Sequence, residues 1–207
     1  LFQGHVLDAK GEKMSKSKGN YVGGLDALTR NSVDMLRYYM LWKASPAEPI
    51  SYIEEEMLER PFQVLNTLYH LHVYYSINSE FDNYKLSKDW ISRLKSKGGD
   101  VTERWLLSKL NSLVKKTRRS LEERRFQEAA RAIEEFLIDT LSQKYVPATR
   151  SILWDDSEAG REKRYYVYTA MGHSLEVCDR LLHPFTPFIT EYLHKAIFLS
   201  DEPLMLL

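Results

Sequence analysis

Apolar residues recur every three or four positions through most of this chain, and that spacing predicts helices rather than strands. The clearest apolar stripes lie at residues 33–43, 62–77, 105–114, 126–145, 165–182 and 187–197. Residues that favour helix starts agree with these stripes: Ser32 precedes the first, Asp100 or Thr102 the third, and Pro187 opens the last. We therefore predict an all-α fold built as a bundle of four or five long helices.

The same pattern predicts how the helices begin and end. Ser51-x-x-Glu54 has the form of a capping box that opens a helix. Pro61 is expected to break or kink that helix, and Pro147 to end or bend the one that starts near Phe126. Residues 78–100 lack periodicity, so they are predicted to be a connection with at most one short helix. Ahead of the bundle, residues 5–9 predict a short strand and residues 13–24 a loop.

Composition excludes several classes of protein. The chain has 207 residues, with 29 basic and 29 acidic side chains, so any attraction to nucleic acid must come from a local patch. Its single cysteine, Cys178, rules out an intrachain disulfide and predicts a reducing compartment, the cytoplasm. No apolar run approaches the roughly 20 residues that span a membrane. Cys178 and His173 lack the paired spacing of metal ligands, so no metal is predicted.

Two histidines, His70 and His72, lie in an apolar stripe. Residues two apart on a helix point in different directions, so core or rim positions are the favoured interpretation rather than a joint site. At the N-terminus, LFQG resembles the end of a protease-cleavage linker, and we expect residues 1–4 not to be native. The C-terminal LSDEPLMLL has no helix stop, so we expect a fragment of a longer protein.

Residues 10–20, KGEKMSKSKGN, pose the main functional question. Lysines on flexible stems and small residues with accessible backbone N–H groups suit a chain of phosphates. Ammonium groups placed where charge develops would stabilise a departing pyrophosphate. Most runs of this composition are nevertheless exposed loops, and the Walker pattern is absent. Composition alone therefore favours a solvated loop.

Residue order changes that interpretation. Residues 13–17 are identical to the KMSKS signature of class I aminoacyl-tRNA synthetases, and residues 33–46, 105–113, 126–146 and 183–191 resemble later segments of the same family. The resemblance implies a division into 1–45, a remnant of the catalytic domain with a stem-contact segment; 46–100, connecting helices; and 101–207, an anticodon-binding helical bundle. Residues 139–146 and 150–154 resemble isoleucyl members of the archaeal or eukaryote-like branch, although Gln143-Lys144 and Pro147 depart from the usual pattern. Valyl and leucyl members remain alternatives.

The resemblance also implies a chemistry. Such enzymes activate an amino acid with ATP, accompanied by Mg²⁺, and transfer the acyl group to tRNA. The catalytic residues would be Lys13 and Lys16, both contacting the triphosphate, with Lys16 the stronger candidate. Ser15 and Ser17 would hold the loop or donate hydrogen bonds to ATP, and Met14 would anchor it. The family's HIGH motif does not occur in this chain, so we expect the chain alone to be inactive.

Residues 102–125 carry a charge of about +5 in an otherwise neutral chain, which predicts a local patch for RNA. Cations also favour a helix C-terminus and a solvated face, so the patch alone does not establish binding. Arginines and aromatics stack on unstacked anticodon bases, which makes Arg150 and Trp154 candidates, although Trp154 could equally belong to the core. The predicted tRNA contacts are Lys115, Lys116, Arg118, Arg119, Arg124, Arg125, Lys144, Arg150 and Trp154.

Two hypotheses therefore stand. The first is a monomeric fragment of a synthetase specific for isoleucine and its tRNA. The second is a free-standing tRNA-binding or scaffolding module that kept a relic of the loop. The native length of the gene product distinguishes them, because only the first requires an upstream nucleotide-binding domain.

Overall fold

The computed structural model describes residues 4–97, 99–198 and 203–204. Residues 1–3 of the predicted linker, Gly98, and residues 199–202 and 205–207 lie outside that description. The fold is all-α, as predicted, apart from one two-stranded sheet. The helices are α1 (Gly24–Arg30), α2 (Val33–Lys43), α3 (Glu54–Phe81), α4 (Lys88–Lys97), α5 (Val101–Glu122), α6 (Phe126–Glu135), α7 (Val146–Leu153), α8 (Arg161–Leu182) and α9 (Pro187–Phe198), with a π-helical segment over Phe136–Tyr145 between α6 and α7.

The sheet joins the N-terminal piece to the start of the bundle. Strand β1 (Val6–Leu7) pairs in parallel with β2 (Ile50–Ser51), with Val6 opposite Ile50. The short strand predicted at residues 5–9 is confirmed for two of its residues. Its partner was not predicted. Helices α1 and α2 form the crossover connection that two parallel strands require.

Two predicted helix starts are confirmed at the level of hydrogen bonds. The Ser32 hydroxyl accepts a hydrogen bond from the Met35 N–H at 3.2 Å and caps α2, which ends at Lys43. Asp100 caps α5 as a complete capping box, because the Glu103 carboxylate also accepts a hydrogen bond from the Asp100 N–H at 2.9 Å. Both caps satisfy N–H groups that the first turn of a helix leaves without partners.

The structure contradicts the predicted capping box at Ser51, and neither Pro61 nor Pro147 ends its helix. Ser51 belongs to β2, and α3 starts after Ile53 without a side-chain cap. Pro61 does not break α3, which continues to Phe81 because the buried side chains beyond the proline hold the helix in the core. Pro147 lies at the start of α7, and the helical rod continues through it from the π-helical segment to Leu153.

The predicted site residues lie at two different ends of the bundle. Helix α3 and the α6–α7 rod run away from α2, whereas α5 and α8 return toward it. At the loop end, the Tyr38 hydroxyl of α2 donates to the Ala130 carbonyl of α6 at 3.2 Å. At the far end, the Tyr145 hydroxyl donates to the Glu103 carboxylate at 3.3 Å, and Trp154 follows α7.

Apolar packing forms one main core and one small cluster. The main core draws on α2 to α9 and the π-helical segment. The small cluster comprises Ala27, Tyr39, Tyr52 and Met57 and lies beneath the N-terminal loop. Met14 packs against this cluster, so the loop rests on an apolar base of its own.

Candidate functional site

The KMSKS stretch folds as a hairpin-like loop after β1. Leu7 pairs with Lys13 in an isolated antiparallel bridge, and the Asp8 N–H donates to the Glu12 carbonyl at 2.8 Å. Gly11 lies between them with φ +78°, a backbone conformation that residues with a β-carbon rarely adopt. The strand therefore reverses over a few residues and brings the signature back beside β1.

A polar clip closes the loop. The Asn20 side chain accepts a hydrogen bond from the Ser15 N–H at 2.9 Å and donates to the Asp8 carboxylate at 2.8 Å. The other Asp8 oxygen accepts from the N–H groups of Lys10 and Glu12 at 2.9 and 2.8 Å. These bonds, the one from Asn20 first, hold the pKa of Asp8 below its usual range. We call Asp8, Ser15 and Asn20 the loop clip.

Within the clip, the signature residues form one 3₁₀ turn, Lys16–Lys18, which ends at Gly19 with φ +71°. The Lys16 ammonium group lies 5.4 Å from the centre of the Tyr21 ring. Lys13 and Lys16 are exposed, and the hydroxyls of Ser15 and Ser17 are 2.8 Å apart. The predicted ATP-site residues therefore lie together on one loop, with both lysines open to solvent.

The loop is joined to the bundle through α2. The Glu134 carboxylate of α6, only 8% exposed, accepts a hydrogen bond from the Trp42 indole at 2.5 Å and pairs with Arg60 of α3. Arg131 of α6 donates to the Lys43 carbonyl at 3.1 Å. One buried carboxylate thus ties three helices together directly after the loop segment.

The predicted RNA-binding residues of α5 and of the turn that follows it lie at the loop end. Four of them, Lys115, Lys116, Arg118 and Arg124, are exposed, as is Arg119, which pairs with Glu123 at 3.0 Å. Arg125 is half-buried and pairs with Glu123 and Glu128, the latter at 3.1 Å. Arg124 has φ +59°, a left-handed backbone conformation, and lies in the tight turn between α5 and α6. The carboxylates reduce the charge available from Arg119 and Arg125.

A second group of predicted contacts lies at the far end. Trp154 is 75% exposed, so its side chain is not part of the core. The Arg150 guanidinium lies 5.8 Å from the centre of the Trp154 ring, a cation–π arrangement on the surface. Lys144 is exposed at the end of the π-helical segment. Arg164 donates to the carbonyls of Asp155 and Ser157 and fixes the turn that follows Trp154.

The structure therefore divides the predicted RNA contacts into two groups. Tyr145 contacts Glu103 at the start of α5, and Arg119 lies near the other end of that helix, about 24 Å away at about 1.5 Å per residue. We call these groups the loop-end group (Lys115, Lys116, Arg118, Arg119, Arg124 and Arg125) and the far-end group (Lys144, Arg150 and Trp154).

Sequence reasoning missed the residues that support the KMSKS loop and the turn after Trp154. Asp8, Asn20 and Tyr21 lie close enough to the KMSKS signature for turn hydrogen bonds to be expected, since Asp and Asn commonly bond nearby backbone groups. No sequence pattern indicated the role of Arg164, because its partner Asp82 is distant in the sequence.

The histidines have structural positions. His72 is buried, and its ring nitrogens contact the Leu68 carbonyl at 2.9 Å and the Asp179 carboxylate at 3.0 Å, whereas His70 is exposed. Burial raises the pKa of the Cys178 thiol. Among the described residues, no three His, Cys, Asp or Glu side chains lie close enough to hold a metal ion together. None of the described helices is long and apolar enough to cross a membrane.

Comparison with known proteins gives two family matches. Residues 103–206 match the anticodon-binding domain of tRNA ligase, and residues 1–52 match the tRNA synthetases of class I for I, L, M and V. The chain is 35% identical over 196 residues to an isoleucine–tRNA ligase of Clostridium tetani, covering 94% of this chain and 18% of the relative. It is 31% identical over 194 residues to an isoleucine–tRNA ligase of Pyrococcus furiosus, covering 94% and 18%. The chain thus spans about a fifth of the length of these curated relatives.

Solved structures share the fold. The ternary complex of a LeuRS from Agrobacterium radiobacter K84 with tRNA and LeuAMS superposes with a TM-score of 0.71 at 20% identity, covering 98% of this chain and 23% of that one. Methionyl-tRNA synthetase of Mycobacterium tuberculosis in complex with methionyl-adenylate gives 0.69 at 21% identity, covering 91% and 36%. At these identities the likeness establishes the architecture alone. The similar isoleucine–tRNA ligases come from bacteria and an archaeon, so the predicted branch stays a prediction.

Proposed function

We propose that this chain is the part of an isoleucine–tRNA ligase that joins the KMSKS loop to the tRNA-binding bundle. The chain belongs to the class I tRNA synthetases and carries the anticodon-binding domain of a tRNA ligase. In the whole protein, isoleucine is activated with ATP and its acyl group is transferred to tRNA. The observation that carries this proposal is the identity of residues 13–17 with the family signature, on a loop whose two lysines face solvent.

For the activation step, Lys16 is the main catalytic residue. Its ammonium group lies 5.4 Å from the centre of the Tyr21 ring, and cation–π contacts at exposed sites are worth about 0.5–1 kcal/mol. Lys16 can therefore leave Tyr21 at little cost when a triphosphate arrives. It then stabilises the negative charge that develops on the departing pyrophosphate. Lys13, also exposed, supplies a second positive charge, and Mg²⁺ accompanies ATP.

For the tRNA, the two groups take different parts. The loop-end group lies at the end of the bundle where α2 packs. This group contacts tRNA phosphates near the catalytic side. The far-end group combines an exposed aromatic ring, a guanidinium group stacked on it and a lysine, which suits unstacked anticodon bases. We assign residues 1–45 to the catalytic side, 46–100 to the connection and 101–207 to the anticodon-binding bundle. We further expect a monomeric, cytoplasmic enzyme.

The test of activity uses the full-length protein. Aminoacylation and ATP–pyrophosphate exchange are measured with isoleucine, valine and leucine, each with its tRNA. Activity with isoleucine is expected, and activity with valine or leucine alone would replace the proposed substrate. Lys16→Ala is expected to lower the exchange rate far more than tRNA affinity. Near-normal exchange by that variant would refute the role of Lys16.

The test of RNA binding uses charge reversal with a matched control. Arg118→Glu with Arg119→Glu should weaken tRNA binding and lower the slope of log K against log salt by about 1 for each phosphate that is no longer neutralised. Lys85→Glu with Lys88→Glu makes the same charge change at exposed positions outside both groups and should have little effect. Equal effects of the two double variants would remove the loop-end group from the interface.

The far-end group is tested separately with Trp154→Ala. Removing the stacking platform for one base should cost about 1–3 kcal/mol of binding free energy. The bundle should unfold as before, because the ring is 75% exposed. Unchanged affinity for tRNA would exclude Trp154 from base recognition.

A further inference from the structure

The loop clip has a chemical pattern that only one arrangement of the Asn20 amide satisfies. Its oxygen faces the Ser15 N–H at 2.9 Å, and its nitrogen faces the Asp8 carboxylate at 2.8 Å and, more weakly, the Lys13 carbonyl at 3.4 Å. Rotating the amide by 180° would place donor against donor and acceptor against acceptor. The side chain at position 20 must therefore accept toward Ser15 and donate toward Asp8.

The clip encloses the signature turn. Ser15 starts the turn, Asn20 follows its end, and Asp8 belongs to the segment that leaves β1, so the clip joins three points on the loop. Lys16 lies between Ser15 and Asn20 and contributes no atom to the clip. The clip consequently fixes the backbone on both sides of Lys16 while its side chain stays free to move.

We propose that Asp8 and Asn20 are positioning residues for the adenylate-forming step and hold the backbone of residues 15–20 in the turn that presents Lys16 to the leaving pyrophosphate. This inference rests on the proposed function of the loop. An ordered backbone removes part of the entropy that would otherwise be lost when Lys16 aligns with the transition state. Positioning of this kind acts on kcat more than on the binding of ground-state ATP.

The bundle does not need the clip. None of the residues from Gly4 to Asn31 belongs to the main core among the described residues, and the loop contacts the small cluster through Met14 and Val22. Asp8 also keeps its negative charge at neutral pH, because its hydrogen bonds hold its pKa below the usual range. Breaking the clip should therefore change the loop and leave the unfolding of the bundle unaffected.

Exchanging the two side chains gives a sharp test in the full-length protein. Asp8→Asn alone places two amide nitrogens face to face, and Asn20→Asp alone places two carboxylates face to face. In the double variant, Asn at position 8 accepts from Lys10 and Glu12 and donates to Asp at position 20, whose other oxygen accepts from Ser15. The exchange restores the bonds to Ser15 and between positions 8 and 20. It replaces the weak 3.4 Å hydrogen bond to the Lys13 carbonyl with a carboxylate oxygen that faces the same carbonyl, so we expect a nearly complete recovery.

The measured quantities are kcat and KM for ATP in isoleucine-dependent ATP–pyrophosphate exchange. Each single variant should lower kcat about tenfold, the effect of removing one charge-assisted hydrogen bond, with KM for ATP changed less than about threefold. The double variant should recover to within about threefold of the unmodified enzyme. Asn66→Asp and Asp156→Asn make the same chemical changes at exposed positions and should leave both constants unchanged.

A second readout does not depend on activity. Amide hydrogen exchange of the peptide containing Ser15 should quicken in each single variant and slow again in the double variant. Restored protection without restored kcat would overturn the positioning role, as would a double variant no better than the single ones. If the unmodified protein shows no ATP–pyrophosphate exchange with any amino acid, the proposed function itself fails. Activity with valine or leucine instead changes the substrate, and the clip is then tested with that amino acid.

Discussion

Replacing Arg164 with Met should destabilise the 207-residue chain more than any exposed substitution. The Arg164 side chain is 2% exposed and pairs with the Asp82 carboxylate, which is 4% exposed, through two parallel bonds of 2.6 and 2.7 Å. The Tyr168 hydroxyl donates to the same carboxylate at 2.8 Å. This geometry satisfies both charges away from water, which is the condition for a buried ion pair to be retained.

The size of the destabilisation follows from the carboxylate that Arg164→Met leaves without its main partner. Asp82 would keep only the bond from Tyr168 and remain nearly buried, and removing one partner of a buried pair typically costs about 3–5 kcal/mol. For a chain of this size, that corresponds to a fall in Tm of roughly 6–20 °C. Arg161→Met is the control, since Arg161 pairs with Glu158 at 2.8 Å on the surface, where both side chains are at least half exposed. Exposed pairs contribute about 0–1 kcal/mol.

The assay is urea denaturation followed by circular dichroism, repeated from neutral pH to acid. The hydrogen bonds from Arg164 lower the pKa of Asp82 from 3.8, so in the unmodified chain its stabilisation is complete above that value and is lost as the pH falls through the folded-state pKa. In Arg164→Met, burial without the guanidinium raises that pKa, and protonation relieves the unpaired charge. The two chains should therefore differ most at neutral pH and converge in acid. A difference below about 1 kcal/mol at neutral pH would refute the reasoning.

Three further predictions concern the packing, a helix cap and a buried histidine. Gly172→Ala should cost about 1–3 kcal/mol, because a β-carbon there would lie 2.8 Å from the buried Tyr75 ring, whereas Gly24→Ala meets nothing within 4 Å and should be nearly neutral by thermal denaturation. Ser32→Ala should cost about 1 kcal/mol in urea unfolding, because it removes the cap of α2. Burial lowers the pKa of His194 from 6.5, so below about pH 6.5 the unfolded chain gains a proton that the folded chain does not, and stability falls. His194→Asn should reduce that slope as the pH falls below about 6.5, and an unchanged slope would exclude His194 as its source.

Sequence patterns predicted the helices where periodicity and capping acted together. The apolar stripe after Ser32 and the capping residue itself both pointed to one helix, and α2 starts and ends where they indicated. The same pattern could not reveal the π-helical segment. Leu137, Leu141 and Tyr145 are spaced as in an α-helix, and all three are buried. The segment packs against α3 and α5, which are distant in the sequence, so local periodicity does not contain its surroundings.

The candidate site was predicted by residue order, but its supporting contacts were not. The KMSKS residues could be recognised from five consecutive positions, whereas the clip joins Asp8 to Asn20 across a loop without periodicity. The two alternatives for Trp154, core or surface, could not be separated, because a tryptophan at a helix end satisfies either pattern. Its side chain is exposed because α7 ends there and the chain turns away.

Helix α2 joins the KMSKS loop to the bundle, because it belongs to both apolar clusters. Tyr38 is buried in the main core, and the next residue, Tyr39, is buried in the small cluster under the loop. The Tyr39 hydroxyl donates to the Ser51 carbonyl at 2.9 Å and accepts from the Ile53 N–H at 3.1 Å, so it also fixes the end of the sheet. Consecutive residues on a helix point in different directions, and here each direction meets a separate core. The base of the KMSKS loop and the far-end group are therefore held at a separation set by closely packed helices, and the proposed function requires such a fixed separation.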